Sequence, residues 1–397
     1  MTPGYPDHHH LRILGSPGQL GYAEGVTITA DGRRRARQAV VRLVHRGLAG
    51  PEFVQAAART VRRVVPYEGI CLLTLDPATL LPTAAHIENG LAPEAIVRLT
   101  EIELGERDFN KFTALARQEQ PAASLSAVTE GDLDRSRRQR ELRRPSGFDD
   151  ELRVVLSGAN GAWGALTLLR EAGSPWFTPA DVRFLASIAG DLADGLRRAA
   201  LLDATAADAA EETGLLVLAP DDSVEMANAA ADRWLDALAG EAAPTRHLPV
   251  VVQAVACRAR ALAGGDSGAE AATARVRTRA GQWLVARAST LGEGSPARIA
   301  VLLELARPPE LAPLIAAAYG FTDRERLVTE LIARGRSTND IAGQLHLSVY
   351  TVQDHLKSIF TKASASSRGD LVARLFFDHY APRLTTEREF GATGRRD

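Results

Sequence analysis

Residues 321–376 read FTDRERLVTELIARGRSTNDIAGQLHLSVYTVQDHLKSIFTKASASSRGDLVARLF. The spacing of capping and apolar residues in this stretch predicts four short helices. Thr322 and Glu325 are expected to form a capping box, in which the side chain of each residue accepts a hydrogen bond from the backbone N–H of the other. Ser337 begins a second helix in the same way, and Ser348 begins a third, longer one. The stretch is therefore expected to be entirely α-helical.

Each of these helices repeats apolar residues on one face, as a helix with one buried side does. A fourth helix starts at Ser367. The apolar positions are Leu327, Val328, Leu331 and Ile332, then Ile341, Ala342 and Leu345, then Val352, Leu356, Ile359 and Phe360, and finally Leu371, Val372 and Leu375. A tight turn at His346-Leu347 joins the second and third helices, which is the helix-turn-helix pattern.

The outward face of the third helix carries Tyr350, Gln353, Asp354, Lys357 and Thr361. Glutamine can pair with adenine through two hydrogen bonds, lysine can donate to guanine or phosphate, and aspartate can accept from cytosine. Charge alone does not mark the stretch as a DNA-binding surface, because residues 321–378 hold eight basic and seven acidic residues. The candidate surface therefore rests on residue types and spacing.

The stretch resembles the LuxR/GerE-type helix-turn-helix. The matching segments are F-T-x-R-E at 321–325, I-A-x-x-L-x-L-S at 341–348, T-V-x-x-H-L-x-x-I-F-x-K at 351–362 and S-R at 367–368. The resemblance implies sequence-specific binding of double-stranded DNA by the third helix. A helical bundle that binds a protein partner instead of DNA is the alternative.

The resemblance also implies roles for individual residues. Tyr350, Gln353, Asp354 and Lys357 would face the bases; the positions that would meet the DNA backbone are Ser348, Thr351, Lys362 and Arg368. Two departures bear on these roles. Position 353 is usually lysine in this family, and residues 362–365 read K-A-S-A where the family has K-L-G-V.

The whole chain has 397 residues, 45% hydrophobic and 24% charged, and a net charge of −2, as expected of a multidomain soluble protein. Its two cysteines, Cys71 and Cys257, are far apart and predict no disulfide framework. No segment has the length of an apolar membrane span, and the N-terminus lacks a signal-peptide pattern, so a cytoplasmic, membrane-free protein is expected. High alanine and arginine usage with three lysines suggests a bacterial source.

Residues 33–200 predict an α+β domain. Two helices precede strands near 69–75 and 82–87, and helices near 93–100 and 108–118 follow. The stretch 121–147 is polar, and its arginine-rich run, 135–144, is expected to be a solvated helix or loop.

A hairpin of strands 152–157 and 162–170 turns at Asn160-Gly161, which is expected to supply the positive φ angles, and a helix over 178–200 closes the domain. The order and the W-G-A-L-T-L-L-R strand resemble a GAF sensor domain.

Residues 213–306 predict a second α+β domain with two strands, helices and then three strands. The opening L-V-L-A-x-D-x-S-V-x-x-A-N-x-A-A resembles a PAS domain. Around these domains, we expect a disordered tail over 1–32, a helical connector over 201–212, a Pro-Pro hinge with a linker helix over 307–320, the DNA-binding domain over 321–378 and a disordered tail over 379–397.

No P-loop, catalytic triad, zinc or redox motif occurs in the sequence, so neither an enzyme nor a metal site is expected. The resulting prediction is a transcription regulator of GAF–PAS–LuxR type that binds DNA as a homodimer. RNA polymerase and a small-molecule ligand of the GAF-like domain are further candidate partners. The cofactor, if any, is unknown. The alternative is a signal-binding adaptor whose helical C-terminus binds a protein.

Overall fold

A computed structural model describes residues 30–202, 212–239, 247–265, 271–292 and 297–377. The expected tails over 1–32 and 379–397 and the connector over 201–212 lie almost wholly outside the described residues. The described chain forms two α+β units, each around a five-stranded antiparallel sheet, and a helical C-terminal unit.

The first sheet domain consists of α1–α6 and β1–β5, with strand order β2-β1-β5-β4-β3. Its strands are β1 Gly69–Leu75, β2 Pro82–Glu88, β3 Ala122–Ser124, β4 Phe148–Gly158 and β5 Gly161–Glu171. Its helices are α1 Ala30–Val44, α2 Gly50–Arg62, α3 Pro93–Gly105, α4 Phe112–Leu115, α5 Leu125–Val128 and α6 Pro179–Leu202. Helices α1, α2 and α6 share one core with one face of the sheet, and α4 covers part of the other.

The expectation of a solvated arginine-rich run at 135–144 is wrong for two of its members. Arg138 and Arg143 are only 1% and 4% exposed. Arg138 donates from Nε to Glu151 Oε1 at 3.0 Å and lies 3.3 Å from Asp108, while Arg143 Nε lies 3.4 Å from Glu151. Buried guanidinium groups are tolerated where carboxylates pair with them. These carboxylates are distant in sequence, so the run alone could not reveal them.

Two further expectations for this domain need correction. The region 121–147 contains β3, which pairs with β4, and the helix expected over 108–118 is confined to α4. The hairpin is longer than predicted, and within its turn only Gly161 has a positive φ, of 96°. Asn160 instead accepts a hydrogen bond at its carbonyl from Trp163 Nε1 at 3.0 Å.

The second sheet domain consists of β6–β10, α7 and α8, and its strand order, β7-β6-β10-β9-β8, repeats that of the first. Its elements are β6 Gly214–Leu218, β7 Val224–Ala227, α7 Ala229–Leu238, α8 Val250–Ala263, β8 Thr273–Arg277, β9 Trp283–Leu291 and β10 Arg298–Leu305. Asn228 caps α7 by accepting the Ala231 N–H at 2.8 Å. Helix α8 packs on the sheet and forms the core with it.

The two sheet domains are joined by a polar and an apolar contact. Asp76, 3% exposed, accepts hydrogen bonds at Oδ2 from the backbone N–H of Arg275 at 2.7 Å and from its Nε at 2.9 Å. Leu81 and Leu104 of the first domain lie in the core of the second, and Val285 of the second lies in the core of the first. Each domain therefore contributes apolar side chains to the core of the other.

The expected hinge at 307–310 is instead the start of helix α9, Pro308–Ala318. Proline is well suited to the first helical positions, where its missing N–H is not needed. Glu310 Oε2 accepts the Arg307 N–H at 2.7 Å and closes the first turn. Leu311, Leu314 and Ile315 are buried in the core of the first sheet domain, so α9 is anchored to it.

The C-terminal domain contains α10 Asp323–Ala333, α11 Thr338–Leu345, α12 Val349–Lys362 and α13 Arg368–Phe377. Its core is joined to α9, because Ala316 belongs to it and Tyr319 and Leu375 pack against both this core and that of the first sheet domain. Tyr319 also stacks on Phe321 with ring centroids 5.6 Å apart. Across the described ranges, no helix is both long and apolar enough to cross a membrane.

Candidate nucleic-acid interface

Three predicted caps fix the starts of the helices that form the interface. Thr322 Oγ1 accepts the Glu325 N–H at 3.2 Å and Ser337 Oγ accepts the Asp340 N–H at 3.2 Å. Ser348 Oγ accepts the N–H of Thr351 at 3.0 Å and thereby begins α12. The predicted capping boxes at the first two helices are confirmed.

The turn between α11 and α12 depends on one left-handed residue. His346 has φ 52°, a conformation that L side chains adopt at a cost, and it ends α11. The Leu347 N–H then donates to Ala342 O at 2.9 Å, and the Leu347 side chain packs against the domain core. The turn thereby sets α12 across α11 in a helix-turn-helix arrangement.

The buried face of the domain matches the predicted apolar stripes with one exception. Val328, Ile341, Val352 and Ile359 are fully buried. Leu327, which was expected on the same face, is 38% exposed, because it lies one position away from the stripe that faces α12. The packing leaves the opposite side of α12 uncovered.

The four side chains expected to face the bases share this uncovered side. Tyr350 is 80% exposed, and Gln353, Asp354 and Lys357 are also exposed. They lie at positions i, i+3, i+4 and i+7 of α12, which places them on one helix face. Lys357 Nζ is 3.5 Å from Asp354 Oδ1, a weak surface pair between exposed groups. Because the pair is weak, these side chains can form hydrogen bonds with a partner at little cost in free energy.

The four residues expected to meet the DNA backbone make contacts within the domain. Ser348 and Thr351 form the α12 cap, with their hydroxyl oxygens 2.8 Å apart. Lys362 Nζ is 2.7 Å from Glu325 Oε2. Arg368 donates to Arg336 O at 2.9 Å and to the Thr338 hydroxyl at 2.6 Å. Lys362 thus connects α12 to α10, and Arg368 connects α13 to the start of α11.

Glu325 has a role that its capping position alone does not reveal. Its carboxylate accepts hydrogen bonds from the Thr322 N–H at 2.7 Å, the Ser358 hydroxyl at 2.6 Å and the Lys362 ammonium at 2.7 Å. Burial on its own raises the pKa of Glu325, but the bonds from Lys362, Ser358 and Thr322 outweigh it and lower the pKa to about 2. The carboxylate therefore connects the start of α10 to α12.

No cluster of three or more histidine, cysteine, aspartate or glutamate side chains that could hold a metal ion occurs in the described part of the chain. Both cysteines are free thiols. Burial raises the pKa of the Cys257 thiol to about 12, so it is not a nucleophile at neutral pH.

Comparison with known proteins identifies the C-terminal domain. The family model described as "GerE: Bacterial regulatory proteins, luxR family" matches residues 320–375. The response regulator Rre1 of Synechocystis sp. is 40% identical over 52 residues, which is 13% of this chain and 22% of that protein. The chain thus spans about a fifth of this relative. The C-terminal helices are a domain of the luxR type.

Two solved structures align with longer parts of the chain at low similarity. Escherichia coli SdiA is 13% identical, with 86% of this chain and 95% of that chain covered and a TM-score of 0.31. The bacteriophytochrome RpBphP3 from R. palustris is 14% identical, with 75% of each chain covered and a TM-score of 0.30. TM-scores of this size carry no conclusion about the sheet domains.

Proposed function

We propose that the protein is a DNA-binding transcription regulator that inserts α12 into the major groove. One observation carries the proposal: a luxR-type domain presents an α12 face on which Tyr350, Gln353, Asp354 and Lys357 are all exposed. An α-helix fits the major groove, where each base pair has a distinct pattern of donors and acceptors. Ser348, Thr351, Lys362 and Arg368 would contact phosphates at the groove edge.

The two sheet domains are proposed to be GAF-like, over 33–200, and PAS-like, over 213–306, and to control the domain over 321–378. Their shared strand order and the anchoring of α9 support this. Arg275 donates to Glu310 O at 3.2 Å, and Arg197 donates to Ala318 O, so each sheet domain binds one end of α9. A signal that changes either contact would change how α12 is presented.

A single luxR-type domain makes few phosphate contacts, so specific binding is proposed to need a homodimer on paired half-sites. RNA polymerase is the further partner of such a regulator, which would act on DNA in the bacterial cytoplasm. An adaptor that uses α12 to bind a protein is the second candidate function. Salt-dependent binding of duplex DNA separates the two, because phosphate contacts release counterions. The absence of DNA binding at low salt would favour the adaptor.

Lys357→Ala is expected to weaken specific DNA binding by about 1–3 kcal/mol if the ammonium meets a base. The measurement is the ratio of affinities for a selected site and for random duplex DNA. Arg326→Ala on α10 removes the same charge from an exposed, weakly paired position and should leave this ratio unchanged. A Lys357→Ala protein with an unchanged ratio and footprint would exclude base contact by this residue.

Gln353→Lys is expected to change base preference at one position in each half-site. A glutamine amide suits adenine, whereas a lysine ammonium suits guanine. Selection of binding sites from random DNA by the two proteins measures the change. The same consensus from both would mean that Gln353 does not read a base.

A further inference from the structure

An open, arginine-lined cleft lies between the first turns of α1 and α6 and has a volume of about 340 Å³. Four of the side chains that line it are arginines: Arg33, Arg34, Arg37 and Arg183. Phe184 adds an apolar surface and Ser187 a hydroxyl. Small-molecule sites have volumes of about 300–1,000 Å³ and combine apolar surface with a few polar groups.

Helices α1 and α6 run parallel beside this cleft. Arg37 Nε lies 3.6 Å from Asp191 Oδ2. About two turns later in α6, Arg198 Nη1 lies 3.1 Å from Nδ1 of His45, the residue just after α1. Because the contacts advance in the same direction on both helices, the two N-termini lie at the same end. The aligned peptide dipoles give each helix N-terminus a partial positive charge, so an anion is favoured at this end of both helices.

The nearby carboxylates do not neutralise all of these arginines. Asp31 pairs with Arg34 and Arg35, Asp191 pairs with Arg37, and Asp181 caps α6 by accepting from the N–H and hydroxyl of Thr178. Within the described ranges, neither Arg33 nor Arg183 has a carboxylate within 4.0 Å. In the same residues, Arg33 Nε is shielded from solvent and has no hydrogen-bond partner.

We propose that this cleft binds a phosphorylated small molecule through Arg33 and Arg183. A planar guanidinium donates two parallel hydrogen bonds to a phosphate, and two such groups from facing helices can hold adjacent phosphates. Arg34 and Arg37 add less to the positive field, because the half-buried carboxylates of Asp31 and Asp191 already pair with them. This site is separate from α12, and the proposal does not depend on DNA binding by the protein.

Calorimetric titration of the full chain with pyrophosphate tests the site, with ionic strength held constant by sodium chloride. Saturable binding is expected for the unaltered protein. The double variant Arg33→Gln/Arg183→Gln should bind at least about tenfold more weakly, because charge-assisted pairs are lost. The matched control is Arg42→Gln/Arg46→Gln, which removes two charges from the same helix and the loop after it, outside the cleft, and should stay within about twofold.

Three results would overturn the proposal: no saturable binding by the unaltered protein, equal weakening in both double variants, or loss of duplex DNA affinity without any pyrophosphate binding. The last would make the cleft a DNA-backbone contact. Melting of each variant without ligand detects misfolding, and Arg183→Gln alone, at an exposed position, repeats the test if the double variant is unstable. DNA binding is measured separately, so either proposal can fail without the other.

Discussion

Glu325→Ala is expected to lower the local stability of α10 and α12 by about 1–3 kcal/mol, since it leaves a part-buried network without its acceptor. The Lys362 ammonium and the Ser358 hydroxyl would lose their shared partner, and the Thr322 N–H would lose its cap. Hydrogen exchange of the α10 and α12 amides in the full chain, followed by mass spectrometry, measures this local free energy.

The control for this prediction lies on the same helix. Glu330→Ala removes an exposed acid that pairs with the exposed Arg334, so a change below about 0.5 kcal/mol is expected. If the α10 and α12 amides exchanged hydrogen at the same rate in the two variants, the Glu325 network would not stabilise the domain. Because Lys362 and Ser358 belong to α12, DNA affinity should fall with stability in Glu325→Ala alone.

The pKa of Glu325 adds a dependence on pH. Its pKa is lowered from 4.5 to about 2 in the folded protein, so its contribution is complete above pH 4.5 and is lost as pH falls towards 2. Protection of α10 and α12 should decrease over that window. Asp340 and Asp370, whose pKa values are also lowered by serine hydrogen bonds, titrate in the same domain. The Glu325 component is therefore the difference between the unaltered protein and Glu325→Gln.

Arg275→Ala is expected to destabilise the junction of the two sheet domains by about 3–5 kcal/mol, because it leaves the Asp76 carboxylate buried without its counter-charge. Asp76 would keep the N–H of residue 275 and that of Ala78, at 2.9 Å, as hydrogen-bond donors. The hydrogen bond from Arg275 to Glu310 O would also be lost, so the backbone amides of α9 should exchange hydrogen faster. Exchange in β8 and α9 measures both effects.

Arg298→Ala is the matched control for this junction. Arg298 lies in β10 and pairs with Glu225 at 2.6 Å, but its side chain is 59% exposed. Solvent screens an exposed pair of this kind, so its loss should leave the stability of the junction almost unchanged. If Arg275→Ala left β8 and α9 exchange as slow as in Arg298→Ala, the junction would not depend on the Asp76 pair.

Features that depend on neighbours in sequence could be predicted. The Thr322–Glu325 and Ser337–Asp340 capping boxes join residues three positions apart, so the pattern and the contact coincide. The apolar spacing of α12 likewise defined its exposed face before the fold was known. These local rules suffice for the C-terminal domain, where nearly every helix start has its own signal.

Features that depend on distant residues could not be predicted in this way. Arg138 is buried because Asp108 and Glu151, 30 and 13 positions away, reach its guanidinium. The three-residue strand β3 is too short for a periodic pattern and exists because β4 pairs with it. Pro308 and Pro309 read as a hinge when seen alone, and only the packing of α9 shows that they begin a helix.

The candidate interface combines both cases. Tyr350, Gln353 and Lys357 are exposed as the helix period requires. The contacts of Lys362 with Glu325 and of Arg368 with Thr338 span 37 and 30 positions, and no local pattern contains them. Binding of DNA phosphates by these two side chains would have to compete with bonds that already exist inside the domain.

Helix α9 packs in the cores of both the first sheet domain and the C-terminal domain. The C-terminal domain therefore cannot be transferred to another protein without disturbing both cores. Tyr319 and Leu375 fill space in two cores at once, and Ala316 of α9 belongs to the core of the C-terminal helices. A chimaera cut at residue 321 would remove Leu375 from the core of the first sheet domain and would separate Ala316 from the core of the C-terminal helices. A graft that preserves the packing must therefore begin before α9 and supply a new apolar surface for Leu311, Leu314 and Ile315.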